Sequence, residues 1–204
     1  MLNSPPMLQR IFLVRHGQTA WSLSGQHTGR TDIPLTAEGE AEARTLHERL
    51  RTHEFNRAFT SPLQRARQTA GLAALATPVA IEPDLVEWDH GEYEGLRSAE
   101  IRAIQPDWNL YQHGCPGGES SAQVSDRADR VIAMIRALEG DIAIFSHGHF
   151  GCVLAVRWIG LKIEQASHFL LDTASVSILG YGHQRATEPA LMLWNARPDA
   201  TSET

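Results

Sequence analysis

Apolar runs and amphipathic stretches alternate along most of the chain. Three short, mostly apolar runs bounded by turn-forming residues are typical of buried strands: IFLVR (11–15), RAFTS (57–61) and DIAIFS (141–146). Near the C-terminus, VSILGY (176–181) and ALMLWN (190–195) have the same character. The pattern therefore predicts five strands.

The segments between these strands carry helix signals, and the predicted helices are 35–53, 61–75, 120–140 and 150–160. Thr36 and Ser61, the latter followed by a proline, are placed as the N-caps of the first two helices. Ser120 and Gln123 fit a capping box, and Gly140 fits the end of the same helix.

The alternation of strands and helices predicts an α/β fold, a three-layer αβα sandwich with a mainly parallel central sheet. No internal repeat or linker interrupts the 204 residues, so we expect a single domain over 1–204 with its core at about 9–195. The polar stretch RPDATSET (197–204) is expected to be frayed.

Composition and charge argue against several classes of partner. The net charge is −6 and no basic run occurs, which disfavours nucleic acid and an anionic membrane surface. The N-terminus has no cleavage-like signal and no segment reaches membrane-spanning length, so we expect a cytoplasmic protein. Cys115 and Cys152 show no zinc spacing and are expected to be unpaired thiols. The sequence gives no indication of the oligomeric state.

Cationic and titratable residues follow the ends of three predicted strands. Arg15 and His16 end the first, Arg65 lies in the helical turn after the second, and His147 follows DIAIFS. Ligands of open α/β sheets bind outside the carboxyl ends of the strands. A cationic site in an acidic protein suits a phosphate group, which arginine binds through two parallel hydrogen bonds.

Motifs for other phosphate or hydrolase chemistries are missing from the sequence. There is no G-x-x-x-x-G-K-[ST] loop, no G-x-S-x-G motif and no acidic cluster for magnesium. The spacing from Cys152 to Arg157 is one residue too short for a cysteine phosphatase loop. Histidine remains as the candidate nucleophile. We therefore place His16 as the nucleophile, held by its strand, with Arg15 binding the phosphate and Gly17 allowing a close backbone approach.

Two structural alternatives compete with this interpretation. Arg15 and His16 are also compatible with a salt bridge at the end of a strand. His147 and His149 are compatible with a metal pair, although no carboxylate or thiol in their motif would complete it. We expect no metal and no cofactor.

Five motifs occur in the order of a known family: LVRHGQT, TSPLQRARQTA, EWDHGEYEGL, CPGGES and FSHGH. Over residues 11 to 180 the chain resembles the histidine phosphatase superfamily, also called phosphoglycerate-mutase-like, and is most similar to its sedoheptulose-1,7-bisphosphatase-like branch. The resemblance implies the fold of that family. It also implies that His16 becomes phosphorylated in a pocket completed by Arg15, Arg65 and His147.

The resemblance implies that Glu87 is the proton donor and acceptor. Three other carboxylates in or near its motif, Asp89, Glu92 and Glu94, are the alternatives for this role. In the implied mechanism, Glu87 protonates the leaving alkoxide and then activates the water that hydrolyses the phosphohistidine.

Five further residues are candidates for substrate binding. Thr28 and Gly29 match the family's loop beside the substrate, and Ser22 stands where the family often has a phosphate-binding asparagine. Arg30 is a candidate for a distal phosphate, and His149 for a further substrate contact. In addition, a segment with three ring side chains is a candidate for a lid over a sugar, with ordinary loop packing as the alternative; these residues are Trp108, Tyr111 and His113.

The resemblance is compatible with two reactions, hydrolysis of the phosphate ester and transfer of the phosphoryl group to a second acceptor. Family mutases usually carry an insertion after the acid motif, whereas only about thirty residues separate Glu87 from CPGGES here. We therefore expect a phosphatase that acts on a small-molecule phosphomonoester, a sugar phosphate or bisphosphate. A phosphoglycerate mutase is the rival enzyme. A phosphoprotein-binding pseudoenzyme is the rival of another class, which the intact His16, Glu87 and His147 argue against.

Overall fold

The computed structural model describes residues 8–197, with a single six-stranded sheet at the centre. The strands are β1 (Ile11–Arg15), β2 (Phe55–Thr60), β3 (Val79–Ile81), β4 (Asp141–Ser146), β5 (Val176–Tyr181) and β6 (Pro189–Ala196). Their order is β3-β2-β4-β1-β5-β6. The first four in this order are parallel, whereas β5 is antiparallel to β1 and β6 is antiparallel to β5. The mainly parallel sheet is confirmed, and β3 is an additional strand.

Within residues 8–197, seven α-helices accompany the sheet: α1 (Ala20–Ser24), α2 (Ala37–Leu50), α3 (Gln64–Ala73), α4 (Ser98–Ile104), α5 (Leu110–His113), α6 (Ser121–Arg136) and α7 (Gly148–Trp158). The same part of the chain has four 3₁₀ turns, at Pro83–Leu85, Gly91–Tyr93, Ile163–His168 and Gly182–Gln184. None of the helices between residues 8 and 197 combines the length and the apolar composition of a membrane span. The predicted frayed stretch lies, apart from Arg197, outside the described residues.

The central strand β1 contributes alternate side chains to two separate cores. Ile11 and Leu13 pack in the cluster that holds the buried residues of α6 and α7. Phe12 and Val14 pack in the cluster that holds the buried residues of α2 and α3. Because successive side chains of a strand point to opposite faces, a continuously apolar strand is buried on both. The predicted three-layer αβα sandwich is therefore confirmed.

The observed helix ends agree in part with the ends predicted from the sequence. Thr36 accepts a hydrogen bond from Gly39 N at 3.0 Å, and Ser120 and Gln123 form the expected capping box. The helix expected from Ser61 begins only at Gln64. The Ser61 hydroxyl lies 2.8 Å from a ring nitrogen of His147 and accepts from Leu63 N at 3.3 Å, just before the helix begins. α6 ends at Arg136, before the predicted stop at Gly140.

The C-terminal end of β1 is fixed from both sides. His16 N donates to Ser146 O at 3.0 Å, and His16 O accepts from Ala174 N at 3.1 Å. Arg15 N donates to Ser175 O at 3.2 Å. These bonds to the neighbouring segments hold the backbone of His16 in one position, as expected for a reacting group on a rigid element.

Gly17 permits a close backbone contact directly after His16. A Cβ atom added to Gly17 would lie 2.3 Å from Gly39 O, in the first turn of α2. Gly17 N also donates to Thr69 Oγ1 of α3 at 3.0 Å. The close approach that the sequence predicts is therefore made by α2 and α3, which pack against the turn after the nucleophile candidate.

We expect Gly17→Ala to lower the free energy of unfolding by about 1–3 kcal/mol, since the added methyl group must displace the backbone of α2. Gly71→Ala is the matched control, because an added Cβ there meets nothing within 4 Å and Gly71 is exposed in α3. The control should stabilise the protein by about 0.5–1 kcal/mol, since alanine is the better helix former. Urea unfolding measures both, and equal effects would contradict the packing argument.

Candidate active site

A cavity of about 400 Å³ opens at the carboxyl ends of β1 and β4. Six of the predicted site residues line it: Arg15, His16, Ser22, Thr28, Glu87 and His149. The other four lie outside the lining: Gly29, Arg30, Arg65 and His147. The structure therefore divides the predicted site into residues that face the cavity and residues placed behind or beside it.

The hydrogen bonds of His16 determine which ring nitrogen is free. Nδ1 lies 2.8 Å from Gly17 O, and because a carbonyl only accepts, Nδ1 carries the proton. Nε2 is then left with its lone pair. Burial, together with the charges of Arg65 and Arg15, lowers the pKa of His16 well below its usual value. The ring is therefore neutral at pH 7, in the form that can attack phosphorus.

His147 is held in one tautomer behind His16, with their ring centroids 5.2 Å apart. Arg65 Nε donates to His147 Nδ1 at 3.2 Å, so Nδ1 is the unprotonated nitrogen. His147 Nε2 therefore carries the proton and donates to Ser61 Oγ at 2.8 Å. Burial and the charge of Arg65 lower the pKa of His147 well below its usual value, which keeps the ring neutral.

Arg65 is fully buried, and backbone carbonyls bind its guanidinium. Its Nη atoms donate to Thr31 O at 3.0 Å and to Gly29 O at 2.9 Å. Glu94 fixes this loop by accepting hydrogen bonds from Thr31 N, at 2.9 Å, and from Arg30 N. The loop of Thr28 and Gly29 thus contributes carbonyl oxygens that orient Arg65.

Arg15 is the permanent cation in the lining of the main cavity among the described residues. Its Nη1 donates to Leu171 O, whereas its buried Nε has no hydrogen-bond partner among residues 8–197. Burial lowers the pKa of this guanidinium, and the charge of Glu87 opposes that effect. A phosphate oxygen in the cavity would supply the missing acceptor for Nε.

Glu87 is bound by backbone amides at the start of α7. Oε1 accepts from Trp88 N and from Phe150 N, both at 2.8 Å, and Oε2 accepts from His149 N at 3.0 Å. The first N–H groups of a helix have no partner within it, and they suit an anionic acceptor. Of the four candidate carboxylates, Glu87 is the one that lines the cavity.

Ser22 and the predicted lid differ from expectation. Ser22 lines the cavity, but its hydroxyl donates to Thr19 O at 3.0 Å as part of the cap of α1. Trp108 is buried and donates from Nε1 to Gly114 O at 2.9 Å; it lies outside the lining of the main cavity and lines a smaller cavity beside it. Tyr111 lines the cavity, whereas the exposed His113 bonds to Asn109.

Arg30 does not reach the cavity. Its side chain is 47% exposed and lies 3.8 Å from Asp89, because Glu94 holds the backbone of the loop. A smaller cavity of about 190 Å³ shares His27, Tyr111 and His149 with the main one, and Arg102 of α4 lines it. Among the described residues, Arg102 is therefore the permanent cation that lines the adjoining cavity.

Residues 11–196 match the histidine phosphatase superfamily (branch 1). The chain belongs to this superfamily. An acid phosphatase of Mycobacterium tuberculosis is 43% identical over 180 residues, covering 85% of this chain and 87% of the relative. Sedoheptulose 1,7-bisphosphatase of Saccharomyces cerevisiae is 34% identical, with 93% of each chain covered. A solved structure of a Mycobacterium tuberculosis open reading frame has a TM-score of 0.88 at 39% identity, covering 93% of this chain and 98% of that one. The predicted family is confirmed, and the chain is a phosphatase of this family.

A buried ion pair supports the Glu87 segment of this histidine phosphatase. Arg127 of α6 donates to both carboxylate oxygens of Glu119, at 2.9 and 2.7 Å. The same guanidinium donates to Val86 O at 2.7 Å and to Glu87 O at 3.3 Å. Glu119 in turn accepts from Asp89 N at 3.0 Å. The pair therefore holds the backbone on both sides of Glu87.

The sequence carried a signal for Arg127 that was missed. On the long helix, Val124, Ala128 and Val131 recur at intervals that place them on one face, and Arg127 lies on the same face. All four are buried. A charged residue on the apolar face of a helix is rarely buried without a partner, so its position indicated a buried ion pair.

We expect Arg127→Met to lower the free energy of unfolding by about 3–5 kcal/mol, because it removes the buried guanidinium and leaves the largely buried Glu119 without its cation. kcat should fall as well, since the Glu87 segment loses its support. Arg130→Met is the control, because Arg130 lies one turn further on α6 and its ion pair with Asp84 is exposed. Urea unfolding and phosphate release measure the two effects, and equal losses in the two variants would contradict this role.

Proposed function

We propose that this phosphatase hydrolyses the phosphomonoester of a sugar phosphate or bisphosphate through a covalent phosphohistidine at Nε2 of His16, without a metal ion. The observation that carries the proposal is the state of His16. Its Nδ1 proton is bound by Gly17 O, its ring is neutral, and it lines the cavity beside Arg15. A neutral histidine with a free nitrogen beside a phosphate-binding cation is arranged as a nucleophile.

In the first step, Nε2 of His16 attacks phosphorus, the N–P bond forms and the P–O bond to the sugar breaks. Arg15, and Arg65 after a shift from its carbonyl partners, stabilise the charge on the phosphoryl oxygens. Glu87 gives its proton to the leaving alkoxide. Oε2 is the oxygen suited to carry that proton, because it accepts one backbone hydrogen bond whereas Oε1 accepts two.

In the second step, Glu87 is a carboxylate and takes a proton from water as the water attacks phosphorus. The N–P bond breaks, inorganic phosphate leaves and neutral His16 is restored. Positioned cations and one proton carrier supply the charge stabilisation and proton transfer that both steps need. The family's mutases share the first step, so release of phosphate rather than transfer to a second acceptor distinguishes the proposed reaction.

A sugar bisphosphate is the proposed substrate class. The main cavity has a volume suited to a small metabolite, and the smaller cavity adjoining it offers Arg102 to a distal phosphate. Support also comes from the yeast relative, which is named a sedoheptulose 1,7-bisphosphatase. A small-molecule substrate and a cytoplasmic location belong to the same proposal.

Glu87→Gln should lower kcat on sugar phosphates by roughly 10²–10⁴-fold, the usual contribution of a positioned general acid. The loss should be much smaller for p-nitrophenyl phosphate when phosphorylation limits the rate, because its leaving group needs little protonation. Glutamine keeps the size of the side chain and one acceptor oxygen, so folding should be retained. Pre-steady-state kinetics on both substrates provide the comparison, and equal losses in phosphorylation would refute the donor role.

Sugar bisphosphates should show a higher kcat/KM than the matching monophosphates, and Arg102→Ala should reduce that preference. The reason is that Arg102 lines the smaller cavity, which adjoins the main one through shared residues such as His27 and His149. Arg30→Ala is the matched control and should preserve the preference, because Arg30 lies outside both cavities. If 3-phosphoglycerate or an aromatic monophosphate were hydrolysed better than every sugar bisphosphate, the substrate class would be wrong while the phosphohistidine chemistry would stand.

A further inference from the structure

Three histidines that take no part in the proposed reaction form a cluster beside the main cavity. His27 comes from the loop after α1, His90 precedes the Gly91–Tyr93 turn, and His149 lies in the first turn of α7. Each offers one ring nitrogen, and the three nitrogens lie within 4.8 Å of one another. The rings of His27 and His149 are stacked with centroids 5.4 Å apart.

The spacing of the nitrogens is close to that of a metal site. Zn–N bonds of 2.0–2.1 Å in a tetrahedron place the ligand nitrogens about 3.4 Å apart. His90 Nε2 and His149 Nδ1 are already 3.2 Å apart, so small ring rotations, above all of His27, would complete a three-nitrogen set. His27 Nε2 bonds to Ser98 Oγ at 3.0 Å, which leaves its Nδ1 for an ion and provides an outer contact of the kind that orients ligands.

The two ring nitrogens of His90 have different surroundings. Nε2 lies beside His149 and is the nitrogen placed to bind an ion. Nδ1 of this fully buried residue has no hydrogen-bond partner within the described part of the chain, so His90 lacks the outer contact that Ser98 gives to His27.

Two of the three histidines face the cavities, whereas His90 lies behind them. His27 and His149 line both the main cavity and the smaller one beside it. The carboxylate of Glu87 lies beside His149, and Arg102 lies near His27, so one charge of each sign flanks the cluster. A bound ion would keep at least one coordination position open, as three-ligand metal sites do.

We propose that His27, His90 and His149 form a binding site for a borderline divalent transition-metal ion, with Zn²⁺ as the representative, between the two cavities. Three imidazoles without carboxylates select such an ion over Mg²⁺ or Ca²⁺. The three imidazole rings are not among the phosphoryl-transfer groups, although the backbone N–H of His149 binds Glu87, and the site does not depend on the proposed reaction. It also does not make hydrolysis require a metal.

Isothermal titration calorimetry tests the site. The full-length protein is treated with EDTA, dialysed and then titrated with Zn²⁺. We expect one Zn²⁺ per chain at this cluster. Co²⁺ should give the intense visible absorption of a four- or five-coordinate ion. His90→Phe keeps a buried ring but removes a metal ligand. Loss of an outer-shell partner alone weakens metal binding by roughly 10- to 100-fold, so this variant should weaken Zn²⁺ binding by at least that factor. His27→Gln should have a similar effect and serves if His90→Phe does not fold, as judged by circular dichroism.

His183→Gln is the control, because the exposed His183 pairs with Glu188 and is the kind of surface site that binds zinc adventitiously. This variant should retain the wild-type stoichiometry, affinity at the cluster and Co²⁺ spectrum. The proposal is overturned if stoichiometric Zn²⁺ does not bind to the wild type, or if folded variants of His90 and His27 bind Zn²⁺ as tightly as the wild type does.

Discussion

Two buried guanidinium groups without an ion-pair partner are the constraint around which this site is built. Neither Arg15 nor Arg65 forms a salt bridge with a carboxylate of residues 8–197; backbone carbonyls of Leu171, Thr31 and Gly29 bind them instead. Carbonyls satisfy hydrogen bonds but do not neutralise charge, so burial remains costly. An anion that enters the cavity reduces that cost, and a phosphate fits the chemistry of both groups.

The same charges determine the state of the histidines. Arg65 and Arg15 add to burial in keeping His16 neutral, and Arg65 fixes the tautomer of His147 by donating to its Nδ1. Glu87 lies close enough for its charge to oppose the effect of burial on both arginines, and amides of α7 hold its carboxylate. One arrangement of charge thus accounts for three features of the site: the binding of phosphate, the neutral state of His16 and the position of Glu87.

The sequence predicted the parts of this arrangement that depend on local pattern. The apolar run ending in Arg15 and His16 places both residues at a strand end, and the order of the motifs identifies the family. Contacts between distant segments were not predictable in the same way. The partners of Arg127 belong to segments that no periodicity connects. For Trp108, a lid and ordinary packing both remained open, because sequence alone does not distinguish an aromatic residue over a cavity from one in the core.

The histidine cluster was also not predictable from the sequence. His27, His90 and His149 are separated by about sixty residues at each step, so no ligand spacing is visible along the chain. They meet because the loop after α1, the Gly91–Tyr93 turn and α7 converge beside the cavity. The most direct test of the account is the position of phosphorus in the enzyme trapped during turnover, determined by ³¹P NMR and by mapping of the modified peptide. The account predicts phosphorus on Nε2 of His16, and phosphorus on Nδ1 or on another residue would contradict it.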